Sequence, residues 1–401
     1  MPPLQITVNK QAPDAPPPAA DPPKVSEFIG GRADIAKLIV NGRTFEDWES
    51  VTVKQELRGN PPQTARFTCS EGSPLVKNWT NQQIMPGESC QIYLGGHLAF
   101  DGKVYSRQVF VDARRHQIEI QCANLLELST ASVITKTGEF KDKEPKQIIE
   151  DVLKGVGKKL VVLGGQLPKI KIPRVSVTPG ESIIDFIDTL TRHLSQESGR
   201  AISHSATPQG DFAIVVGPHG GSDEIVEGKN MLEGRETIYI PMVAAPPSGN
   251  GGGGGDKKAS QSTLGQRPGN DQTWGAAAAH LPYLAKTFSM MGNTLVPSAI
   301  IPEMPVWDKK INEGRATSEK GWLTEDYVTV WGTLQGWLRP SGGLWVPNQD
   351  VIVTSPMLVM HGEKLKLKSV TYSQDNQQGT RVVLECCNDK ALSGGVPKAG
   401  T

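Results

Sequence analysis

The chain carries no excess of charge. Its 42 Lys and Arg balance 42 Asp and Glu across 401 residues. A balanced chain exerts no long-range pull on nucleic acid or on an anionic membrane, and little self-repulsion opposes its assembly with copies or partners. It is poor in cysteine. Cys69, Cys90, Cys122, Cys386 and Cys387 are odd in number and match no CxxC spacing. That pattern excludes a disulfide framework and fits small buried residues in a reducing compartment. No apolar run nears the ~20 residues needed to span a bilayer. Met1 is followed by Pro2 and Pro3 rather than by a basic and then an apolar segment. The expectation is a chain made in a cytoplasm, without membrane insertion. Apolar residues reach only 37%; much of the deficit sits in the Pro- and Gly-rich segments, and a thin core shared with neighbours would also fit.

The chemistry-bearing motifs are absent as well. The glycine run Gly251 to Gly255 precedes Lys257, but Asp256 stands where a phosphate-binding loop needs glycine directly before lysine. It reads as a linker. His97, His116, His193, His204, His219, His280 and His361 are too far apart to form a local zinc signature. Ser203-His204-Ser205 lacks the Gly-x-Ser-x-Gly elbow of a hydrolase and reads as a strand beside a turn. Glu181, Asp185 and Asp188 could be drawn as a glycosidase pair, but their spacing places them in early helical turns, where acids complement the helix dipole. Lys364, Lys366 and Lys368 alternate on one strand face, a pattern that protects an edge; lining a channel, they could touch passing DNA. The sequence therefore predicts no catalytic residue, no metal site and no cofactor.

What is present is turn chemistry around short strand-like runs. A chain of this length implies two to four domains. Residues 1–26 hold eight prolines and read as an extended arm, unable to fold alone. Residues 27–135 predict a first small antiparallel β-barrel, with turns at Asn41-Gly42, Gly95-Gly96 and Asp101-Gly102. Residues 136–220 predict a compact α+β domain. One helix starts near Pro145, with Ile148, Ile149, Val152, Leu153 and Val156 on its apolar face. A second opens on Thr178-Pro179-Gly180-Glu181, read as a capping box, and carries the stripe Ile183, Ile187, Leu190 and Leu194. Residues 221–243 and 316–392 predict a second barrel, with a helix at 318–331. Residues 244–315 read as a low-complexity excursion containing an irregular loop, and residues 393–401 as a tail. The fold class is α+β, mainly β, with two similar barrels flanking the α+β domain. The barrels echo each other. Gly102 to Asn124 and Gly362 to Asn388 are similar spans that end in Gln121-Cys122-Ala123-Asn124 and Glu385-Cys386-Cys387-Asn388.

Five of the eight tryptophans lie between Trp307 and Trp345. Tryptophan beside Gly and Pro turns fills a core or anchors a partner. Trp274, Trp307, Trp337 and Trp345 are the candidate partner-binding residues, with a carbohydrate platform as the lesser alternative.

The capped segment Val177 to Ile187, and Trp337 to Asn348 with its Gly-Trp…Leu-Trp-x-Pro-Asn pattern, are similar to segments of the baseplate hub family of contractile-tailed phages, most closely the Mu-type tail hub. The resemblance spans roughly residues 30–245 and 315–392; the proline arm and the 244–315 excursion depart from it. It implies a homotrimer whose six barrels form a pseudo-sixfold ring between a sixfold tail tube and a threefold central spike, with wedge or other baseplate proteins beside it. Tape measure protein and DNA would pass through the channel. The implied location is the virion tail baseplate, assembled in the host cytoplasm. With no β-helical repeat after the last barrel, the spike is expected to be a separate polypeptide. The alternatives are a virion-associated cell-wall hydrolase and the hub portion of a secretion-system spike.

Overall fold

Alternation of apolar and polar residues builds most of the molecule. In Ser50–Glu56, Val51, Val53 and Gln55 point inward and their neighbours outward, the period-2 pattern of a strand with one buried face. The structure is a computed structural model. It describes residues 35–45, 48–70, 84–112, 116–133, 138–198, 202–238, 242–244, 285–291, 294–300 and 328–388. The 1–26 arm, Trp274 and Trp307 lie outside these residues.

In chain order the first β region comprises β1 (Lys37–Val40), β2 (Arg43–Phe45), β3 (Ser50–Glu56), β4 (Gln63–Ser70), β5 (Ser89–Leu94), β6 (His97–Val111) and β7 (His116–Ala123). The middle region holds α1 (Leu126–Thr130), β8 (Glu139–Lys143), α2 (Pro145–Lys154), β9 (Leu160–Leu163), β10 (Ile172–Ser176), α3 (Ile183–Ser198), β11 (Ser203–Ala206) and β12 (Phe212–Val215). The rest is strand: β13 (Ser222–Val226), β14 (Met231–Ile238), β15 (Met242–Ala244), β16 (Ala285–Met291), β17 (Thr294–Ile300), β18 (Val328–Gln335), β19 (Asp350–Ser355), β20 (Met360–Asp375) and β21 (Gly379–Asn388).

The two β regions are not separate closed barrels. They are hydrogen-bonded into one 13-stranded sheet, ordered β14-β18-β21-β20-β3-β4-β7-β6-β5-β1-β2, with β13 and β19 attached through β20. Among the described residues no pairing closes either region on itself. The cause is the length of β20. Its first part pairs with β19 and its second part, Ser369 to Asp375, pairs with β3. One strand thus serves both halves, and one core runs through both, from Leu38 and Phe67 to Leu367 and Leu384.

Strand order nevertheless repeats. The path β3-β4-β7-β6-β5-β1 in the first half matches β14-β18-β21-β20-β19-β13 in the second. The bulges match too. Pairing slips between Val104 and Ser106 opposite Cys122 and Gln121, and between Leu367 and Ser369 opposite Cys386 and Glu385. Only the last pair differs, antiparallel for β1–β5 and parallel for β13–β19.

The middle region is an α+β layer, as its sequence predicts. Ile148, Ile149, Val152 and Leu153 of α2 meet Ile183, Ile187, Leu190 and Leu194 of α3 in a second core. Pro145 is the first residue of α2, and Gly155 caps its end.

Four local expectations are corrected. Asp101-Gly102 is not a turn; it runs inside β6. Gly102 is there because a Cβ would meet the backbone oxygen of Ala123 at 2.6 Å. The segment Thr178–Glu181 does not open α3. Gly180 has a φ of +84°, a conformation no helix continues through, and the helix begins after Ser182, whose Oγ accepts from Asp185 N at 3.2 Å. In the predicted 318–331 helix, the described part from Val328 is strand β18, paired on both sides. Finally, residues 285–300 are not irregular: β15, β16 and β17 form a three-stranded sheet. Pro297 sits in its edge strand β17, where a missing N–H is tolerated.

Candidate functional site

The Trp337 to Asn348 loop stitches the second β region to the middle layer. It leaves β18 at Gly336, whose φ is +80°, and folds back by a Leu338–Leu344 bridge. Trp337 is 3% exposed and Trp345 1%. Trp337 Nε1 donates to Ser373 O at 3.4 Å, while Trp345 O accepts from Tyr372 Oη at 2.6 Å. Both indoles fill this chain's own core, leaving no area for a partner. At the loop's far side, buried Asp223 accepts from Ser341 N at 3.0 Å, Ser341 Oγ at 2.9 Å and Gln349 Nε2 at 2.9 Å, with Arg339 Nη1 at 3.4 Å. Asn348 Nδ2 donates to Gly217 O at 2.8 Å. The Gly-Trp…Leu-Trp-x-Pro-Asn motif is therefore a latch. Its sequence marked the loop, but its anchor, Asp223, lies more than a hundred residues away and carries no local signal.

The tempting catalytic residues are used structurally. Ser203, His204 and Ser205 are all buried. His204 Nε2 lies 3.3 Å from Gly59 O, and its Nδ1 is 3.6 Å from Asp188 Oδ1. Burial pushes the imidazole below its usual value, against the pull of Asp188 and the Gly59 carbonyl. Asp188 also pairs with Arg192 at 2.7 Å. Glu181 Oε2 accepts from Thr178 N at 3.1 Å, closing the turn before α3. Lys364 and Lys366 both bind Asp350. Burial works to raise that carboxyl, but their hydrogen bonds outweigh it and hold it below the usual range. Lys368 pairs with Glu385 at 4.0 Å. Lys366 is buried, so the alternating lysines are neutralised locally rather than forming one solvated face. A cleft of about 380 Å³ lies where the layers meet, lined by Gln55, Leu163, Ser205, His219 and Val346. Among the described residues, no group of three or more His, Cys, Asp or Glu could hold a metal, and no helix is long and apolar enough to cross a membrane.

The remaining conspicuous surface is at the sheet ends. Past Val104, whose backbone still bonds Gly87 and Glu88, β6 is paired with β7 alone, and β14 with β18 alone, among the described strands. Each carries exposed apolar residues: Tyr105, Val109 and Val111 on β6, Leu232 and Ile238 on β14.

Comparison with known proteins agrees with this architecture. Residues 35–122 match the family described as "Mu phage baseplate assembly protein GpP-like, N-terminal". The baseplate hub protein gp44 of Escherichia phage Mu is 21% identical over 358 residues, covering 86% of each chain. The chain is similar to the Mu-type hub family. The likeness to Mu-type hubs extends to solved folds. The 43 kDa tail protein of prophage MuSo2 from Shewanella oneidensis aligns with a TM-score of 0.67 at 16% identity, covering 89% of this chain and 99% of that one. The c3393 protein of E. coli, described as a type VI secretion component similar to T4 tail proteins gp27 and gp5, aligns with a TM-score of 0.52 at 9% identity, over 90% and 77%. The Mu-type resemblance thus covers both β regions and the middle layer.

Proposed function

We propose that this chain is a structural baseplate hub of a contractile phage tail, and not an enzyme. In this reading three copies form a ring, join the sixfold tail tube to the threefold central spike, and enclose the channel for the tape measure protein and DNA. The observation that carries it is the repeated strand order: two equivalent β halves per chain, fused in one sheet, in a chain alike to Mu gp44 over nearly its full length. Two repeats per chain let a threefold object present six similar faces. That is the matching a hub between unequal symmetries requires. Neutral overall charge suits a channel that must not trap DNA. Location in the virion tail baseplate, with wedge or other baseplate proteins as neighbours, follows from the same reading.

The latch around Asp223 and the buried Trp337 and Trp345 hold each copy rigid, while Trp274 and Trp307 are assigned to partner contact. The proline arm, residues 1–26, is assigned to a neighbouring subunit, because polyproline segments lose less entropy on ordering. The likeness to c3393 supports one further reading, the hub portion of a secretion spike. Threefold averaged images of native particles test the proposal: a ring of three chains at the tube–spike junction is expected, and its absence overturns it. Wall-turbidity assays separate hub from hydrolase. Glu181→Ala, Asp185→Ala and His204→Ala particles should lyse walls as well as the parent; loss of lysis with intact assembly contradicts the assignment.

A further inference from the structure

The cleft between the layers lies where the last described strand ends. It is lined by Val161, Leu163 and Val215 of the middle sheet and by Val346 and Pro347 of the latch loop. Strand β21 runs out beside both sets of residues. Cys387 packs in one cluster with Leu57 and Val215, against Leu163. Cys386, one residue earlier, stands opposite Leu367, and Leu367 O accepts from Asn348 N at 2.6 Å, the residue after Pro347. Residues 389–401 follow Asn388 directly and lie outside the described residues.

We propose that residues 389–401 fold back into this cleft of their own chain, with Leu392 as the apolar anchor and the segment's backbone against the outer edge of β9. Seated there, the segment straps the second β region to the middle layer, in addition to the latch around Asp223. The proposal goes beyond the hub reading and does not depend on the ring.

Three observations favour this occupant. The first is reach. Leu392 stands four residues past Asn388, and four extended residues span about 13 Å. The cleft begins at Val215 and Leu163, which already share a cluster with Cys387. A segment tethered this closely has a high effective concentration and needs little intrinsic affinity. The second is the chemistry of the lining. Val161 and Leu163 are only half-buried, and Leu392 is the largest apolar side chain of 389–401. Their contact removes apolar surface from water. Strand β9 is also an edge, paired with β12 alone among the described strands. Its outer N–H and C=O groups can therefore satisfy the backbone of a segment laid along it. The third is charge. Asp211 lines the cleft. Burial chiefly, and then Asp211, push the Asp101 carboxyl up, against Gln91 and Lys158. Residues 389–401 carry Lys390 and Lys398 against one acid, Asp389, and so bring net positive charge to these carboxylates.

The test is a cysteine pair in the full chain, Leu392→Cys with Val161→Cys, under mild oxidation. The five native cysteines are buried. A second pair, Leu392→Cys with Val346→Cys, covers the case in which Val161→Cys disturbs β9. The expected result is a disulfide within one chain: a band that stays monomeric on a denaturing gel, with both new thiols lost, and no such loss in the single variants. A covalent dimer would place the segment in a second copy and overturn the proposal. No disulfide in either pair, in protein that melts like the parent, would overturn it as well. Amide exchange gives an independent readout. Leu392→Asp should speed exchange across Leu160–Leu163 several-fold and leave Ser50–Glu56 unchanged; equal exchange in parent and variant would contradict the seat. None of these outcomes bears on the hub reading, which imaging of particles tests separately.

Discussion

Asp223 shows how a single residue of β13 ties down the Trp337 to Asn348 loop. It is buried, it accepts from Ser341 and Gln349, and it faces Arg339. Removing it leaves the Ser341 and Gln349 donors without that acceptor, while the half-buried Arg339 guanidinium keeps Gly220 O. Asp223→Ala should therefore cost about 1–3 kcal/mol, the cost of leaving buried donors unsatisfied, read as a lower midpoint in denaturant. Gly102→Ala should cost about 1–3 kcal/mol, because its Cβ would press on the Ala123 backbone. At α3, Ser182→Ala should cost about 1 kcal/mol as the loss of an N-cap, and Glu181→Ala less. The reverse order in thermal melts would restore the predicted capping box. Residue types marked these places in the sequence, but their roles were only half legible. A glycine inserted in a strand for close approach looks like a turn glycine when its strand neighbour is unknown. Two overlapping cap patterns, Thr178…Glu181 and Ser182…Asp185, are decided only by the positive φ of Gly180.

Among elements, the joint between α3, β11 and the end of β3 carries a pH dependence. Arg58 N donates to His204 O at 2.9 Å, and His204 is lowered chiefly by burial. Its folded pKa lies below the unfolded value of about 6.5, so the folded chain binds fewer protons in that window. Stability is complete above about pH 6.5 and is lost as the pH falls towards the folded value. His219 is lowered in the same sense. Melting temperature should fall between pH 7 and pH 5, and His204→Gln should reduce that slope without abolishing it; an unchanged slope would place the titration elsewhere. Helices α2 and α3 were legible because their stripes are long and periodic. Strand β18 was not: its inward side is Val330, Gly332 and Leu334, with Thr329 also buried, so a glycine and a threonine dilute the apolar alternation, and its tryptophan misled the reading towards a helix. The β16–β17 hairpin was hidden by Pro297, which reads as a breaker unless the strand is known to be an edge.

At the scale of the molecule, the echo between Gly102–Asn124 and Gly362–Asn388 was visible in the sequence and corresponds to equivalent hairpins, β6–β7 and β20–β21. The fusion of the two halves was not visible, because pairing of β20 with β3 joins residues more than three hundred apart and leaves no local pattern. Deleting residues 2–24 should leave the melting temperature of the isolated protein unchanged while weakening its incorporation into particles; unfolding on deletion would place the arm in its own core. The central claim is that three copies with two equivalent β halves each build a ring. Symmetry-resolved imaging of the purified oligomer tests it most directly. The account predicts three chains around one axis, presenting six similar β units. An oligomer without threefold symmetry would contradict it.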